Sequence, residues 1–516
     1  MTAAAEPSIG ATPARWSDGN FWTRVSGAAP VAYAQLASDQ EADVAVVGAG
    51  IVGLTAAQAL AAAGKSVVVL EARRIGEQAT GRSTAKVSSQ HGLIYSRLIR
   101  DFGEKQAGIY AQCNEAAIAH IASLVERTGM DCGFERKPAY IYGQSDAAAK
   151  IEEEARAASR LGLPAQVVRE TPLPFEVAVA LRFDNQAQFN PVLYLRGLAA
   201  EVARHAGVHE GCRVVKISKE GGRQIVCTEA GPVLRVRDVV VATQMPIVSD
   251  GLFYTRAYPI SHPMLAGRID PARAPDGMYI STSSPSHSFR VHGSGSELYM
   301  VAVGGTYKTG ETEDEQRLLL ELEQFVGREF GVDQPEYRWI NEDFQPMDGL
   351  PFVGRASGSD QHVYVATGFN AWGITNGTSA ALLIADQILG RENPAAKLFD
   401  ATRIKPVVGG KDFLKENLHA AQHFVGDRLR TPRSELPVPE QGAGMVVKVH
   451  GEPLACYHDE TGTVHRVSAV CTHMGCLVAW NATDRSWDCP CHGSRFSCDG
   501  QVLCGPATTP LEKAPT

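Results

Sequence analysis

Hydrophobic positions along the chain gather into short apolar runs separated by glycine turns and by longer segments of mixed charge. Asp43-Val-Ala-Val-Val47 is too short and too evenly apolar for a helix and predicts a buried strand. It runs into Gly48-Ala-Gly50-Ile-Val-Gly53 and an Ala/Leu-rich stretch to about Ala63, where Gly64 closes a predicted helix. Ser66–Leu70 forms a second apolar strand that stops at Glu71, completing a β-α-β unit. From about Leu98 to Arg160 the pattern turns helical, with Glu152-Glu-Glu154 read as a solvated face. Asp238–Thr243 predicts another buried strand, alternation near Leu298–Val303 predicts antiparallel pairing, and Val363–Gly368 is a strand ending in a glycine turn before a helix through Ser379–Leu389. Arg391 to Gln441 is polar and Pro-bearing, as a linker is. Beyond it come short β-like runs, many turns and most of the cysteines.

Composition narrows the picture. With 516 residues, 44% hydrophobic and 21% charged, the chain has the balance of a globular protein of roughly three domains. A net charge of −8 argues against nucleic acid or anionic lipid as a general partner. No apolar run is long enough for membrane insertion, since Ala56–Ala63 is cut by Gln58. The first residues lack a basic start followed by an apolar core, so a cytoplasmic enzyme is expected. Cys113, Cys132, Cys212 and Cys227 are scattered, whereas Cys456, Cys471, Cys476, Cys489, Cys491, Cys498 and Cys504 crowd together. Without an export signal, that cluster predicts a metal site rather than a disulfide framework.

The β-α-β unit carries a dinucleotide fingerprint. Gly48 permits the tight turn, Gly50 lets the backbone approach a pyrophosphate, and Gly53 lets helix and strand close together. The helix start offers free N–H groups to phosphate, and Glu71 can accept from ribose hydroxyls. Ile51, Val52, Ala72 and Arg73 flank these positions and are assigned to the same site. Further motifs follow in order: Gly81-Arg-Ser-Thr-Ala-Lys86, Val239–Thr243, Asp348-Gly-Leu-Pro-Phe-Val-Gly354 and Val365-Ala-Thr-Gly368-Phe-Asn-Ala-Trp-Gly373. With them, residues 41–400 resemble FAD-dependent oxidoreductases of the D-amino-acid oxidase/glycine oxidase type, the DAO family.

That resemblance implies an α/β, Rossmann-like FAD-binding domain (about 41–100, 185–250 and 340–400) interleaved with an α+β substrate domain (about 100–185 and 250–340). It places the segment Arg82–Ser89 against the flavin end, with Arg82, Ser83 and Thr84 assigned to the cofactor, and makes Val239–Thr243 a second cofactor-supporting strand; Val214, Ala242 and Thr243 are assigned to the cofactor as well. Gly368, Trp372, Gly373, Ile374 and Thr375 would form a helix start facing the flavin, where its dipole favours the anionic reduced ring. One departure bears on the substrate. Where the family's amino-acid oxidases set an Arg before a Pro to grip a carboxylate, this chain has Gln345 before Pro346. This argues against a simple α-amino acid unless another Arg takes over; a cationic amine, an N-substituted amine or an imino compound also fits. No Cys in this region offers a thioether, so dissociable FAD is expected; His91 is an alternative attachment or active-site residue, or a structural loop histidine. Gln345 is the candidate for substrate contact, Trp372 and Tyr307 for pocket walls, and Lys308 or His262 for polar groups. Tyr258, His262 and Tyr307 would come from the sheet covering the flavin.

Cys471-Thr-His473-Met-Gly-Cys476 and Cys489-Pro-Cys491-His492-Gly-Ser494 carry the sharpest signal. Two thiolates suit one iron and two imidazoles a second, the Rieske [2Fe–2S] arrangement. Zinc knuckles separate their ligands by two to four residues, not one. Residues 440–516 resemble a small all-β Rieske domain of the cytochrome bc-complex subtype, joined through a linker at 401–439. The resemblance implies that Cys471 and Cys489 hold one iron, His473 and His492 the other, and that Cys476 and Cys491 form a disulfide. It also matches Ser494 to a serine that donates to the cluster, and sets Phe496 where a tyrosine donor often stands. The midpoint is thus expected within the broad Rieske range of about −150 to +300 mV, away from its top. Cys498 and Cys504 would be a second disulfide or two buried thiols.

The combination predicts oxidation of a small amine or amino-acid-like substrate at a CH–NH bond. Electrons would leave FAD singly through the cluster to an external acceptor, a protein or a quinone, reaching the histidine-ligated iron from the surface. Rival readings are an electron-transfer or redox-sensing protein without an amine substrate, and an NAD(P)H-fed reductase. The latter needs a second dinucleotide unit, which Gly304-Gly305 does not supply. A Rieske oxygenase needs two His and a carboxylate; His205 and His209 are a close pair with no carboxylate to place beside them.

Overall fold

The computed structural model describes residues 21–27, 31–404, 415–418, 423–428, 431–432 and 438–514. The N-terminal stretch read for targeting and much of the linker lie outside them. Val44, Val46, Val69, Val239 and Val240 are fully buried, as strands covered on both faces must be. Gln40–Val47 pairs in parallel with Val67–Leu70 on one side and Val233–Val241 on the other. Gly207–His209 extends the sheet beyond Val67–Leu70. Arg223–Thr228 and Val214–Glu220 extend it antiparallel past the first half of Val233–Val241, and Val363–Thr367 joins the second half in parallel. Helices Ile51–Ala62 and Gly373–Ile388 pack together on this sheet. Their starts approach closely because Gly377 has no side chain; a Cβ there would stand 2.9 Å from Ile51 Cγ2.

A second, nine-stranded sheet runs in the order Tyr307–Lys308, Ala257–Arg268, Tyr299–Val303, Ser288–His292, Met278–Ser281, Ala139–Gly143, Val179–Phe183, Ala165–Val168, with Tyr337–Pro346 also paired to Ala257–Arg268. Stacked aromatics fill one face: Tyr140 on Tyr279 at 4.9 Å, Tyr279 on Phe289 at 5.3 Å, and Phe289 edge-on to Phe330 of helix Thr312–Phe330 at 4.9 Å. The region read as helical holds three helices, Tyr95–Phe102, Glu104–Thr128 and Ala148–Arg160, interrupted by the strand Ala139–Gly143.

Glu154 departs from the solvated face expected of its charge run. It is fully buried, and its carboxylate accepts from Tyr95 N at 2.6 Å and Ser96 N at 2.9 Å. It thereby satisfies the otherwise open N–H groups at the start of Tyr95–Phe102 and sits against the positive end of that helix. Glu154→Ala strands these donors in the interior and is expected to cost about 1–3 kcal/mol, read as a lower thermal or denaturant midpoint.

Residues 438–514 form two small antiparallel sheets. Gly444–Val449, Glu452–His458 and Val464–Ser468 make one; Ala479–Asn481, Ser486–Asp488, Arg495–Ser497 and Val502–Cys504 make the other. Tyr457 stacks on Trp480 at 4.6 Å, and Trp480 packs tilted against Trp487 at 4.7 Å. Cys498 and Cys504 are free thiols. No helix among the described residues is long and apolar enough to cross a membrane.

Candidate redox site

A cavity of about 440 Å³ opens at the carboxyl ends of the parallel strands, where the helices Ile51–Ala62 and Gly373–Ile388 begin. Neither N-cap residue, Gly50 or Trp372, caps its helix with its own side chain, and at the first helix Thr80 Oγ1 accepts from Ile51 N at 3.3 Å. Gly48 adopts φ +102°, and a Cβ on it would stand 2.6 Å from Ala242 O. At Gly53 a Cβ would fall 1.8 Å from Gly48 O, so both glycines are fixed by the protein itself. Gly50 differs: a Cβ there would meet only Thr80 Oγ1, at 3.4 Å, leaving the cavity side open. Glu71 accepts from Ala49 N at 2.8 Å and Arg73 N at 3.0 Å, and burial raises its pKa. Gly48, Gly50, Ile51, Val52, Glu71, Ala72, Arg73, Ser83, Thr84, Val214, Ala242, Thr243, Trp372, Gly373, Ile374 and Thr375 all line this cavity. Gly53 and Gly368 lie behind its wall; Gly368 makes room for Pro346, whose Cγ would be 2.6 Å from an added Cβ.

The nine-stranded sheet floors the other end. Met264, Val303, Ser288 and Ile280 form one transverse row of directly opposed residues, and all face the cavity. His262 and Asn341 are opposed across the next pair of strands, so both side chains leave the sheet on the same face. His262 Nδ1 meets Thr306 Oγ1 at 3.3 Å, while His262 Nε2 and Asn341 Oδ1 are buried without a hydrogen-bond partner. Burial lowers the His262 pKa to about 4 and raises that of Asp343 to about 6. Asp343 holds Phe344 N and Ala371 N at 2.7 and 2.5 Å.

Three expected contact residues do not line the cavity. The Tyr307 hydroxyl donates to Glu315 at 3.2 Å, Lys308 pairs with Glu416 at 2.5 Å, and Gln345 stands at the strand end opposite Tyr258. His91 is buried and fully engaged, with Tyr110 at 2.6 Å, Ser88 O at 2.7 Å and Thr375 at 3.0 Å, and its ring stacks on Trp372. Arg82 turns away from the cavity to Ile340 O at 2.9 Å and Asp484 at 2.5 Å. Lys86, by contrast, which falls within the Arg82–Ser89 segment expected at the flavin end, lines it.

The two cysteine loops are held by short backbone bonds, Cys471 N to Cys476 O and Cys489 N to Ser494 O, each 2.8 Å. A Cys476–Cys491 disulfide joins them. The rings of His473 and His492 lie 5.1 Å apart and perpendicular, and both Nδ1 atoms are buried without a partner. Cys471 and Cys489 share a hydrogen bond, which holds the Cys471 thiol down at about 7 and pushes Cys489 up. The sulfurs of Cys476, Cys489 and Cys491 also fall within 4.8 Å of one another, but the disulfide removes two of them as ligands.

The loops dock against the larger part of the chain. In strand Tyr337–Pro346, Asn341 and Asp343 line the cavity. The intervening Glu342 and Phe344 press on Gly493, where an added Cβ would stand 2.8 Å from each. Tyr254 lies edge-on to both His473 and His492, with ring centroids 5.1 Å apart in each case. The histidine face expected to meet a partner is therefore shared with Tyr254. Asp484 ties the parts together, accepting from Arg82, from Arg495 Nη2 at 2.7 Å and from Ile340 N at 3.1 Å. Leu503, Cys504, Gly505, Ala507 and Thr508 themselves line the cavity.

A family model described as FAD dependent oxidoreductase matches residues 43–387, two thirds of the chain. The chain belongs to this family of FAD-dependent oxidoreductases. A second model, the Rieske [2Fe-2S] domain, matches residues 431–515. The oxidoreductase is 34% identical over 482 residues to YhfW of Bacillus subtilis (strain 168), which is named as a Rieske 2Fe-2S iron-sulfur protein; the match covers 93% of this chain and 94% of YhfW. Among solved structures it resembles glycine oxidase from Geobacillus kaustophilus (TM-score 0.59, 19% identity, 71% of this chain and 99% of that one). It also resembles L-amino acid deaminase from Proteus vulgaris (TM-score 0.60, 15% identity, 73% and 100%). These likenesses show the fold.

The residues present fit both cofactors of this oxidoreductase. Two helix starts without an N-cap side chain and the open side of Gly50 suit a pyrophosphate and a flavin edge. Two hydrogen-bonded thiols and two orphaned imidazole nitrogens supply the mixed donor set of a Rieske cluster. Ser494 accepts from Ala507 N at 3.0 Å, which leaves its proton to donate to Cys471. Ser494→Ala removes that donor and is expected to lower the cluster midpoint, on the order of 100 mV, by redox titration.

Proposed function

We propose that this oxidoreductase oxidises a small amine or amino-acid-like compound at a CH–NH bond and delivers the electrons through its Rieske cluster to an external one-electron acceptor. The flavin part is assigned to 41–400 and the cluster part to 440–516. The residues named above around Gly48–Val52, Glu71–Arg73 and Trp372–Thr375 are assigned to FAD, and Cys471, His473, Cys489 and His492 to the cluster. When bound, the flavin supplies a two-electron acceptor and the cluster a one-electron relay.

The observation that carries the reading is the shared strand Tyr337–Pro346. Its alternate side chains face the cavity and the cluster loop, so one strand separates the substrate space from Gly493, next to His492. At the substrate end the acceptors are Asn341 Oδ1 and the Asp343 carboxylate, beside the buried His262 ring and Lys86, the one lysine of the lining. The arginines lining the cavity, Arg73, Arg74 and Arg213, stand instead at the nucleotide end with Glu71 or Glu210. Acceptors without a guanidinium fork favour an amine over a carboxylate as the recognised group. The test is anaerobic mixing with glycine, sarcosine, proline, benzylamine and putrescine. Flavin bleaching should precede the cluster's reduced EPR signal. A panel that leaves the flavin oxidised, or a cluster reduced before the flavin, overturns the reading.

A further inference from the structure

Lys86 has no task in the reading above, on which this inference rests. Strand Lys86–Val87 delivers it to the substrate end of the cavity, where it is 9% exposed. Nζ donates to Tyr279 O at 2.7 Å and bonds Ser288 Oγ at 2.5 Å. Ser288 sits in the transverse floor row between Val303 and Ile280. No carboxylate among the described residues pairs with Lys86. The charge beside it is Arg290, whose guanidinium bonds Thr84 O and Phe189 O. An ammonium ion there would be buried without a counter-ion and next to a like charge, which favours the neutral amine. Burial holds its pKa well below the ordinary lysine value, and Arg290 adds to the effect.

We propose that Lys86 Nζ is the base that takes a proton from the substrate's ammonium group inside the cavity. The substrate N–H bond breaks, its electron pair stays on nitrogen, and a new N–H bond forms on Lys86; nothing is oxidised in this step. Bound FAD would supply the acceptor for the hydride, with its electron pair, that the neutral amine must lose from its α-carbon to become the iminium; Lys86 returns its proton to solvent as product departs. The substrate's ammonium pays the same desolvation penalty as that of Lys86, which brings the two proton affinities together. A base matched in this way is worth about 10²–10⁴ in rate.

Other titrating groups face this corner. His262 and Asp343 come from the floor strands, and Glu135 acts on Arg290. Above pH 7, His262 with its pKa near 4 stays neutral, and Asp343 with its pKa near 6 stays ionised.

The experiment compares wild type, Lys86→Met and Lys86→Arg as holoproteins between pH 7 and 10. It uses whichever of benzylamine or putrescine bleaches wild-type flavin faster. Lys86→Met is expected to retain FAD and to reduce at least about 100-fold more slowly at pH 7.5. The deficit should shrink about tenfold per pH unit as free amine becomes available from solution. Lys86→Arg keeps the donors but cannot deprotonate, and should be as slow as Lys86→Met. A second readout uses tert-butylamine, which has no α-hydrogen. Calorimetry in two buffers should show no proton released on binding to wild type and one per amine bound to Lys86→Met. Wild-type rates and pH profile in Lys86→Met, equal proton counts, or loss of FAD from both variants each overturn the assignment. Failure of both amines to bleach wild-type flavin overturns the functional reading, and this assignment with it.

Discussion

Cys489→Ser should yield an oxidoreductase that still bleaches its flavin with substrate but has lost cytochrome c reduction by about 100-fold or more. The thiol it removes is fully buried and shares its proton with Cys471, so no neighbouring group can replace it as a ligand. A serine hydroxyl is a harder and far less acidic donor than thiolate, and the cluster's iron is not retained. The domain itself should survive, because the Cys476–Cys491 disulfide and the Tyr457–Trp480–Trp487 packing do not depend on that sulfur. Stopped-flow flavin reduction should stay within about threefold of wild type, since the cavity side of strand Tyr337–Pro346 is untouched. An EPR spectrum without the reduced cluster signal, together with wild-type cytochrome c reduction, would show that electrons leave by another route.

The second large effect belongs to the joint between the two parts. Asp484→Ala is expected to destabilise docking by roughly 1–3 kcal/mol, because it leaves Arg82 without a carboxylate and Arg495 with Asp488 alone. Two observables follow: weaker retention of FAD, through the displaced wall at Leu503–Thr508, and slower passage of electrons from flavin to cluster. The pH dependence has a definite sign. Burial raises the Asp484 pKa, but Arg82 and Arg495 outweigh it, so the folded value lies below the ordinary one of about 3.9. Stability from this group is therefore fully present above about pH 4 and is lost as pH falls through the folded pKa. Flavin release on acidification should set in below the usual carboxylate range in wild type. In Asp484→Ala it should already be raised at neutral pH.

Much of this was legible locally. The Gly48–Gly53 turn, the acidic end of the second strand, and the C-x-H and C-x-x-H loops each encode their chemistry within a few residues, so spacing alone identified them. Partners distant in sequence left no such trace. Arg82 was placed against the flavin, but its carboxylate partner lies 402 residues away in the cluster part, outside the family resemblance that suggested the assignment. Glu154 sits in a charge run that reads as solvated, yet a helix start 59 residues earlier in the chain draws it inside. Lys86 is one residue of a loop motif until the sheet supplies Ser288 and Tyr279. Tyr307 and Lys308 do belong to this sheet, but at its edge: their side chains reach Glu315 and Glu416, not the cavity.

The contribution of Leu503–Thr508 to the flavin cavity bears on how the molecule is made. A nascent chain presents its nucleotide fingerprint early but lacks one wall of the pocket until some 450 further residues have left the ribosome. Tight flavin loading is thus expected only once this segment has docked, and proteolytic trimming ahead of Leu503 should loosen the yellow cofactor while leaving Cys471, His473, Cys489 and His492 in the chain.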